Sequence, residues 1–410
     1  MERKVNTFDL TVGMHISNLD RPWLDTPFLL QGFIISGDDD IKALQKHCKY
    51  VFIDTEKGIE ADTYIDEKKP KLPSSEYIED FLDGGKKRVS YEQKQSAFHE
   101  LPAAETALEN ASDKVARLMD NLKAGENLDI GAVRNAVQPI LESVIRNSDA
   151  FLWVSQMRKK DAYTYSHSLD NCALGIAFGR HLGLYKEDLR NLAMGLLLMD
   201  VGKVKISDDI LTKKGTLSTE EFDEMKNHVY YGVNLLRNTP SINETIINVV
   251  LTHHERFDGS GYPGGLTGKE VPVFGRIASI IDCYTAMTGN SVYRTAIAPH
   301  KALQTIYNWR NKYFQDELVE QFLQCLGVYP TGSLVEMSSG QVGMIMSQNR
   351  VQRFKPKIML LLDEDKKPYD VSKIIDLTVD VTDASGMELS IISGLPPGAY
   401  DIDPTKILED

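Results

Sequence analysis

The stretch Arg190-Asn191-Leu192-Ala193-Met194-Gly195-Leu196-Leu197-Leu198-Met199-Asp200-Val201-Gly202-Lys203 sets the fold class of this chain. Residues 190 to 201 predict a helix that is apolar nearly all round, and such a helix belongs inside a domain, covered on every side. Yet it runs into Asp200. A buried carboxylate left without a partner is costly, so Asp200 calls for a metal or a cation. Lys203, just past the helix-ending Gly202, is the nearest cation. A plain structural Asp200–Lys203 contact is one reading of the pair.

The same pattern recurs in the segments around it. After the capping-box-like Ser218-Thr219-Glu220-Glu221, the stripe Phe222, Met225, Val229, Val233 and Leu236 places His228 beside an apolar face. The apolar run Ile246 to Leu251 leads straight into His253-His254, and Ile277 to Met287 buries Asp282 in a third such helix. His167 lies near the start of the segment carrying Leu169, Cys172, Ala173, Ile176 and Ala177. Each of these residues alone reads as a satisfied core side chain. Together, four histidines and two aspartates on apolar faces of one domain point to metal binding, as in sites built inside helical bundles. Imidazole with carboxylate suits iron, manganese or zinc.

Helical spacing of this kind runs from about 106 to 328 and predicts an all-α domain. Outside it the pattern changes. Residues 1–63 alternate short apolar runs with turn signals around a short helix at Asp40 to Gln45, predicting a small α+β unit in which Trp23 is core. Residues 64–105 are rich in Glu, Lys, Pro, Ser and Gly and predict an extended linker. Beyond Pro330, runs at Ser333 to Met337, Gln341 to Met346, Lys357 to Leu362 and Ile374 to Val381 predict a small β appendage over 329–410. With 410 residues, such a multi-domain division gives each part enough chain for a core.

Composition excludes several functions. At 42% hydrophobic and 26% charged residues the chain is globular, and a net charge of −13 disfavours non-specific nucleic-acid binding. A phosphate-bearing substrate must then be drawn in by a local cluster of cations or metals. The basic pairs Lys159-Lys160 and Lys213-Lys214 read as solvated surface. No apolar stretch approaches a membrane span, and the opening MERKVNTFDLTVGM lacks a signal-peptide core, so no membrane anchoring is expected. Cys48, Cys172, Cys283 and Cys325 lie far apart, against a zinc ribbon or a disulfide framework and in keeping with a reducing cytoplasm.

The string His253-His254-Glu255-Arg256-Phe257-Asp258-Gly259-Ser260-Gly261-Tyr262-Pro263 closely resembles the signature of the HD-GYP phosphodiesterases, which act on the bacterial second messenger cyclic di-GMP. The resemblance spans about 155–300, from Tyr163-Thr164-Tyr165-Ser166-His167-Ser168 through Met199-Asp200-Val201-Gly202-Lys203 and Lys226-Asn227-His228 to Asp282 and Tyr293-Arg294. Residues 1 to about 60, with Pro22-Trp23-Leu24-Asp25-Thr26-Pro27-Phe28, resemble the small domain of unknown function that often precedes this module.

The resemblance implies a helical HD-type metal phosphohydrolase bundle with two metals, commonly iron or manganese, bridged by Asp200. One metal would be held further by His228, His253 and His254. The other would be held by His167, Asp282 and the His of the family's His-Asp pair, a position occupied here by Met199. A thioether is a soft, neutral substitute for imidazole, so the first metal is expected to be firm and the second partial or absent. Three-metal members carry a Glu four residues before the first His; here it is Tyr163. The family's substrate-contact Arg is replaced within Gly289-Asn290-Ser291-Val292, which leaves Lys203 and Arg294 to meet phosphate. The Gly-rich loop would offer Tyr262 to base or phosphate, or else be a structural turn with Tyr262 turned inward.

Two functions follow from the resemblance. The first is hydrolysis of cyclic di-GMP to pGpG or GMP at a reduced rate, with Asp200 and Lys203 in the catalytic machinery. The second is a degenerate module that binds the nucleotide or a partner such as a diguanylate cyclase without turnover. A homodimer is compatible with both.

Overall fold

The computed structural model describes residues 2–402 except 8–9, 11, 22, 24–25, 27, 29–31, 55–73, 86–88, 158–164, 241, 290–295, 350–351, 353, 380–381 and 384–385. In the N-terminal unit, strands β1 (Glu2–Asn6), β2 (His15–Leu19), β3 (Phe33–Ile34) and β4 (Tyr50–Asp54) form an antiparallel sheet of order β1-β4-β2-β3. Period-two alternation in β4 turns Val51 and Ile53 inward against helix α1 (Asp38–His47), whose Ala43 and Leu44 face them. Trp23 meets Phe28 and Phe33 edge-on beside this core, in line with its structural reading.

The helical part comprises α2 (Ser74–Leu82), α3 (Ala97–Lys123), α4 (Ile130–Arg146), α5 (Ser148–Met157), α6 (Ser166–Leu182), α7 (Lys186–Leu198), α8 (Asp208–Leu211), α9 (Thr219–Lys226), α10 (His228–Arg237), α11 (Glu244–Thr252), α12 (Val273–Thr288), α13 (Pro299–Asn308) and α14 (Asp316–Leu326). Helix α6 is buried almost throughout, and α7 is buried from Leu192 to its end, which fits the lack of a polar face in these stretches. They form an antiparallel pair at the centre, joined by Gly183 in the left-handed region.

The expected linker over 64–105 is corrected in its described part. Tyr77, Ile78, Phe81 and Leu82 make an apolar stripe on α2 that is buried in the main helical core, and Ser96 caps the start of α3 by accepting from the His99 amide. The polar composition of this stretch conceals these four core residues and a fifth, Ala104.

The C-terminal strands β5 (Leu334–Met337), β6 (Val342–Ser347), β7 (Lys357–Leu362), β8 (Pro368–Asp376) and β9 (Ile391–Leu395) form a sheet of order β8-β7-β6-β5-β9. Its fourth expected run, 374–381, is displaced. Strand β8 starts at Pro368, directly after the turn in which the Asp363 amide donates to the Lys367 carbonyl, and ends where Asp376 accepts from the Thr378 amide and hydroxyl. Strand β9 escapes the sequence reading. The sheet is also less separate than an appendage, because Leu334, Val342, Met344, Leu361 and Leu362 share the apolar core of the helices.

Candidate metal centre

Every described candidate ligand sits at a helix end or on a helix of the bundle. His167 is in the first turn of α6, Asp200 follows α7, His228 opens α10, His253 and His254 close α11, and Asp282 lies within α12. The turn Val201–Lys205 carries Asp200 into contact with α10 because residue 202 is glycine: a Cβ there would overlap the His228 carbonyl and the Gly232 amide. Gly232 faces it from α10, so two side-chain-free positions let the backbones meet.

One Asp200 oxygen, Oδ2, is 2.8 Å from Lys203 Nζ. The structural contact considered for this pair is therefore present. It leaves the other oxygen, Oδ1, 3.5 Å from His228 Nε2 and 4.0 Å from His253 Nε2. His228 Nδ1 lies 2.6 Å from the Met225 carbonyl and His253 Nδ1 lies 2.8 Å from the Val250 carbonyl. A carbonyl oxygen can only accept, so in both rings the proton resides on Nδ1 and Nε2 is a bare lone pair. Both Nε2 atoms are buried and without a hydrogen-bond partner. Asp200, His228, His253 and His254 each bring one ligand atom to within 4.8 Å of all the others.

Protons do not resolve this convergence of electron pairs. Burial pushes His253 down to about 4 and lowers His228 as well. His254 is held well below its ordinary value by burial and then by the neighbouring His253. Burial opposes ionisation of Asp200, but Lys203 foremost, then the histidines, keeps it well below the usual carboxylate range. Three neutral imidazoles and one carboxylate thus aim at a common point, and these residues fit a divalent transition metal.

The remaining two candidates are close but engaged with each other. His167 Nε2 is 3.0 Å from Asp282 Oδ1, and Asp282 Oδ2 is 3.7 Å from His254 Nδ1. Burial, the largest single influence, lowers the His167 pKa, but the Asp282 hydrogen bond together with the charges of Asp282 and Asp200 outweighs it and the ring is held above its ordinary value. Met199 is 1% exposed, among the apolar side chains of the helical core.

Tyr262 lies over His254 with ring centres 4.6 Å apart, and Phe222 meets it edge-on at 6.2 Å. Its loop is held by Glu255, which sequence reasoning did not single out. This carboxylate is 2% exposed and accepts from the Gly264 amide at 2.6 Å and the Leu266 amide at 3.0 Å. The Tyr262 amide donates to the His254 carbonyl, and a Cβ at Gly261 would strike the backbone of His254 to Arg256. In the sequence Glu255 is only one of two acids, with Asp258, between the histidine pair and the glycines, and nothing local sets it apart. Lys213 pairs with Glu221. Lys159, Lys160, Tyr163, Ser291 and Arg294 lie outside the described residues.

Comparison with known proteins agrees with this geometry. Residues 154–318 match the HD domain family model, and residues 2–133 match the model of a domain of unknown function, DUF3391. A cyclic di-GMP phosphodiesterase of Pseudomonas aeruginosa is 28% identical over 92% of this chain and 89% of its own length. Residues 154–318 thus carry an HD domain similar to that of cyclic di-GMP phosphodiesterases. A cyclic di-GMP phosphodiesterase of Thermotoga maritima is 34% identical over 40% of this chain and 45% of its own length. A 3'3'-cGAMP-specific phosphodiesterase of Vibrio cholerae is 37% identical over 35% of this chain and 27% of its own length. These two relatives are thus matched over less than half of their length. The DUF3391 match extends well past residue 63, through α2 and α3 and into α4, so that part of the N-terminal family region lies inside the helical core. Among the described residues, no helix is long and apolar enough to cross a membrane.

Proposed function

We propose that this protein is a metal-dependent cyclic di-GMP phosphodiesterase of the cytoplasm, releasing pGpG or GMP. The observation that carries the reading is the convergence of the buried, proton-free Nε2 atoms of His228 and His253 on Asp200 Oδ1. In this reading Asp200, His228, His253 and His254 hold one metal, iron or manganese. His167 and Asp282, with Asp200 shared, hold a second more weakly because Met199 supplies no imidazole. A metal bound there supplies positive charge to a phosphoryl group and lowers the pKa of water.

The chain's own groups do the rest. Lys203, with 39% of its side chain exposed, keeps its ammonium at the mouth of the cluster, where a phosphate oxygen can compete for it with Asp200. Burial raises the Tyr262 phenol above its ordinary value, so it stays protonated and can donate to phosphate or base. The glycine loop lays Tyr262 over His254 on that side, and Arg294 is assigned to phosphate by the family motif alone.

A second reading, a degenerate module that binds cyclic di-GMP or a diguanylate cyclase without turnover, is favoured by Met199 and Ser291 at positions where the family motif has a metal ligand and a substrate-contact Arg. Protein purified without chelator and given cyclic di-GMP, with 3'3'-cGAMP as the comparison nucleotide, separates the two. Slow release of pGpG together with one firmly held iron or manganese per chain is the result expected. Tight binding without product selects the second reading, and failure to bind either nucleotide overturns both nucleotide readings and leaves only the protein-interaction role.

A further inference from the structure

We propose that helix α2 is a brace for the loop that carries Tyr262, and that Glu79 and Arg276 are positioning residues for the site. The proposal rests on the functional reading above for its consequence, though not for its test.

Arg276, 5% exposed near the start of α12, is the centre of the brace. Its Nε donates to the Val271 carbonyl at 2.9 Å, and its two terminal nitrogens donate to Gln315 and to Glu79 of α2. Glu79 also faces Lys269 at 3.3 Å, and Lys269 reaches Asp83 just past α2 at the same distance. Most of the weight falls on Glu79–Arg276. Removing the partner of a buried guanidinium leaves a charge uncompensated, whereas the exposed Lys269 pairs contribute little.

From this anchor the loop is two steps away. Arg276 and Glu255 line the same small cavity together with Phe257, Ser279, Tyr313 and Gln315. Glu255 in turn grips the Gly264 and Leu266 amides, closing the glycine turn over His254. On the other strand of the loop, Asp258 and Thr267 form an isolated β-bridge and the Gly268 amide donates to the Phe257 carbonyl, one residue before Lys269.

At its far side α2 is tied to the other aspartate-bearing helix. The Tyr77 hydroxyl donates to Asp188 of α7 at 3.1 Å and accepts from the Tyr185 amide at 3.2 Å. One short helix therefore touches both α7, which leads into Asp200, and α12, which carries Asp282. It lies in the DUF3391-matched region, while α7, the loop and α12 lie in the HD-matched region. The contact is thus a route by which the N-terminal region biases how firmly the Tyr262 loop is closed.

Amide hydrogen exchange on the full chain, without nucleotide, tests the brace apart from any catalytic reading. Glu79→Ala should speed exchange at residues 256–268 about tenfold relative to residues 334–346 of the C-terminal sheet, since opening of one segment is what local stability governs. Glu79→Gln, which keeps an acceptor for Arg276 but not the opposite charge, should recover part of the protection. If Glu79→Ala does not fold, Glu79→Gln and the exposed Lys269→Ala carry the test, each with a smaller but selective acceleration. Unchanged exchange at 256–268 in every variant overturns the proposal. So does equal acceleration in both segments, which reports general loosening.

Discussion

Acidifying the metal-free protein tests the electrostatic basis of the site, a group of imidazoles held neutral inside the fold. Burial pushes His253 down to about 4, against an ordinary value near 6.5. Such a base binds more protons unfolded than folded across that interval. Its contribution to stability is therefore complete above pH 6.5 and drains away as pH falls toward 4. The full interval is worth about 3 kcal/mol, of which roughly 2 kcal/mol is gone by pH 5. Against a total stability of about 5–15 kcal/mol this is a large loss. The assay is urea unfolding of chelator-treated protein at pH 7.5 and pH 5.0, for the native chain and for His253→Gln. His228 and His254 are also lowered, but both proteins keep them, so their effects largely cancel. The variant should lose about 2 kcal/mol less than the native chain between the two pH values. Parallel losses would show that His253 is not held neutral by burial and would remove the argument for a bare Nε2.

Three other outcomes follow from the same geometry. Chelation should lower the melting temperature of the metal-loaded protein, since a ligand present at a thousandfold its Kd stabilises by about 4 kcal/mol, and His253→Ala should abolish that sensitivity; a melting temperature indifferent to chelator speaks for a purely structural cluster. Met199→His should raise metal content from one toward two per chain and speed cyclic di-GMP hydrolysis by about tenfold or more, checked by elemental analysis and product chromatography, with an unchanged rate showing that Met199 does not limit the native enzyme. Gly202→Ala forces a methyl against the His228 carbonyl and Gly232 amide and should cost about 1–3 kcal/mol with loss of metal, whereas Gly37→Ala, which has open space around it, should leave both unchanged by thermal melting and elemental analysis.

What could be read from the sequence, and what could not, divides along a physical line. Asp200, His228, His253 and Asp282 stand out because each is a lone polar residue on an otherwise apolar helical face, and a metal centre inside a bundle needs that contrast. The structure brings the first three together with His254 around one point, as their common pattern suggests. Helix α2 carries no such contrast. Its four core residues are diluted by the acidic and polar residues around them, so composition mimics a linker even though Ile78 is fully buried. Glu255 and Arg276 are harder still. The partners of Glu255 are backbone amides nine and eleven residues on, and one partner of Arg276 is a carboxylate 197 residues away. Nothing local marks an acid that will meet amides or a base that will meet a distant acid, because both look like ordinary surface charge until the fold encloses them. Apolar periodicity therefore reveals which residues a bundle gathers at its centre, while the contacts that hold a loop over that centre become visible only in three dimensions. The brace formed by α2 belongs to the second kind, and its selective effect on the 256–268 amides is what distinguishes a positioning role from one more structural ion pair.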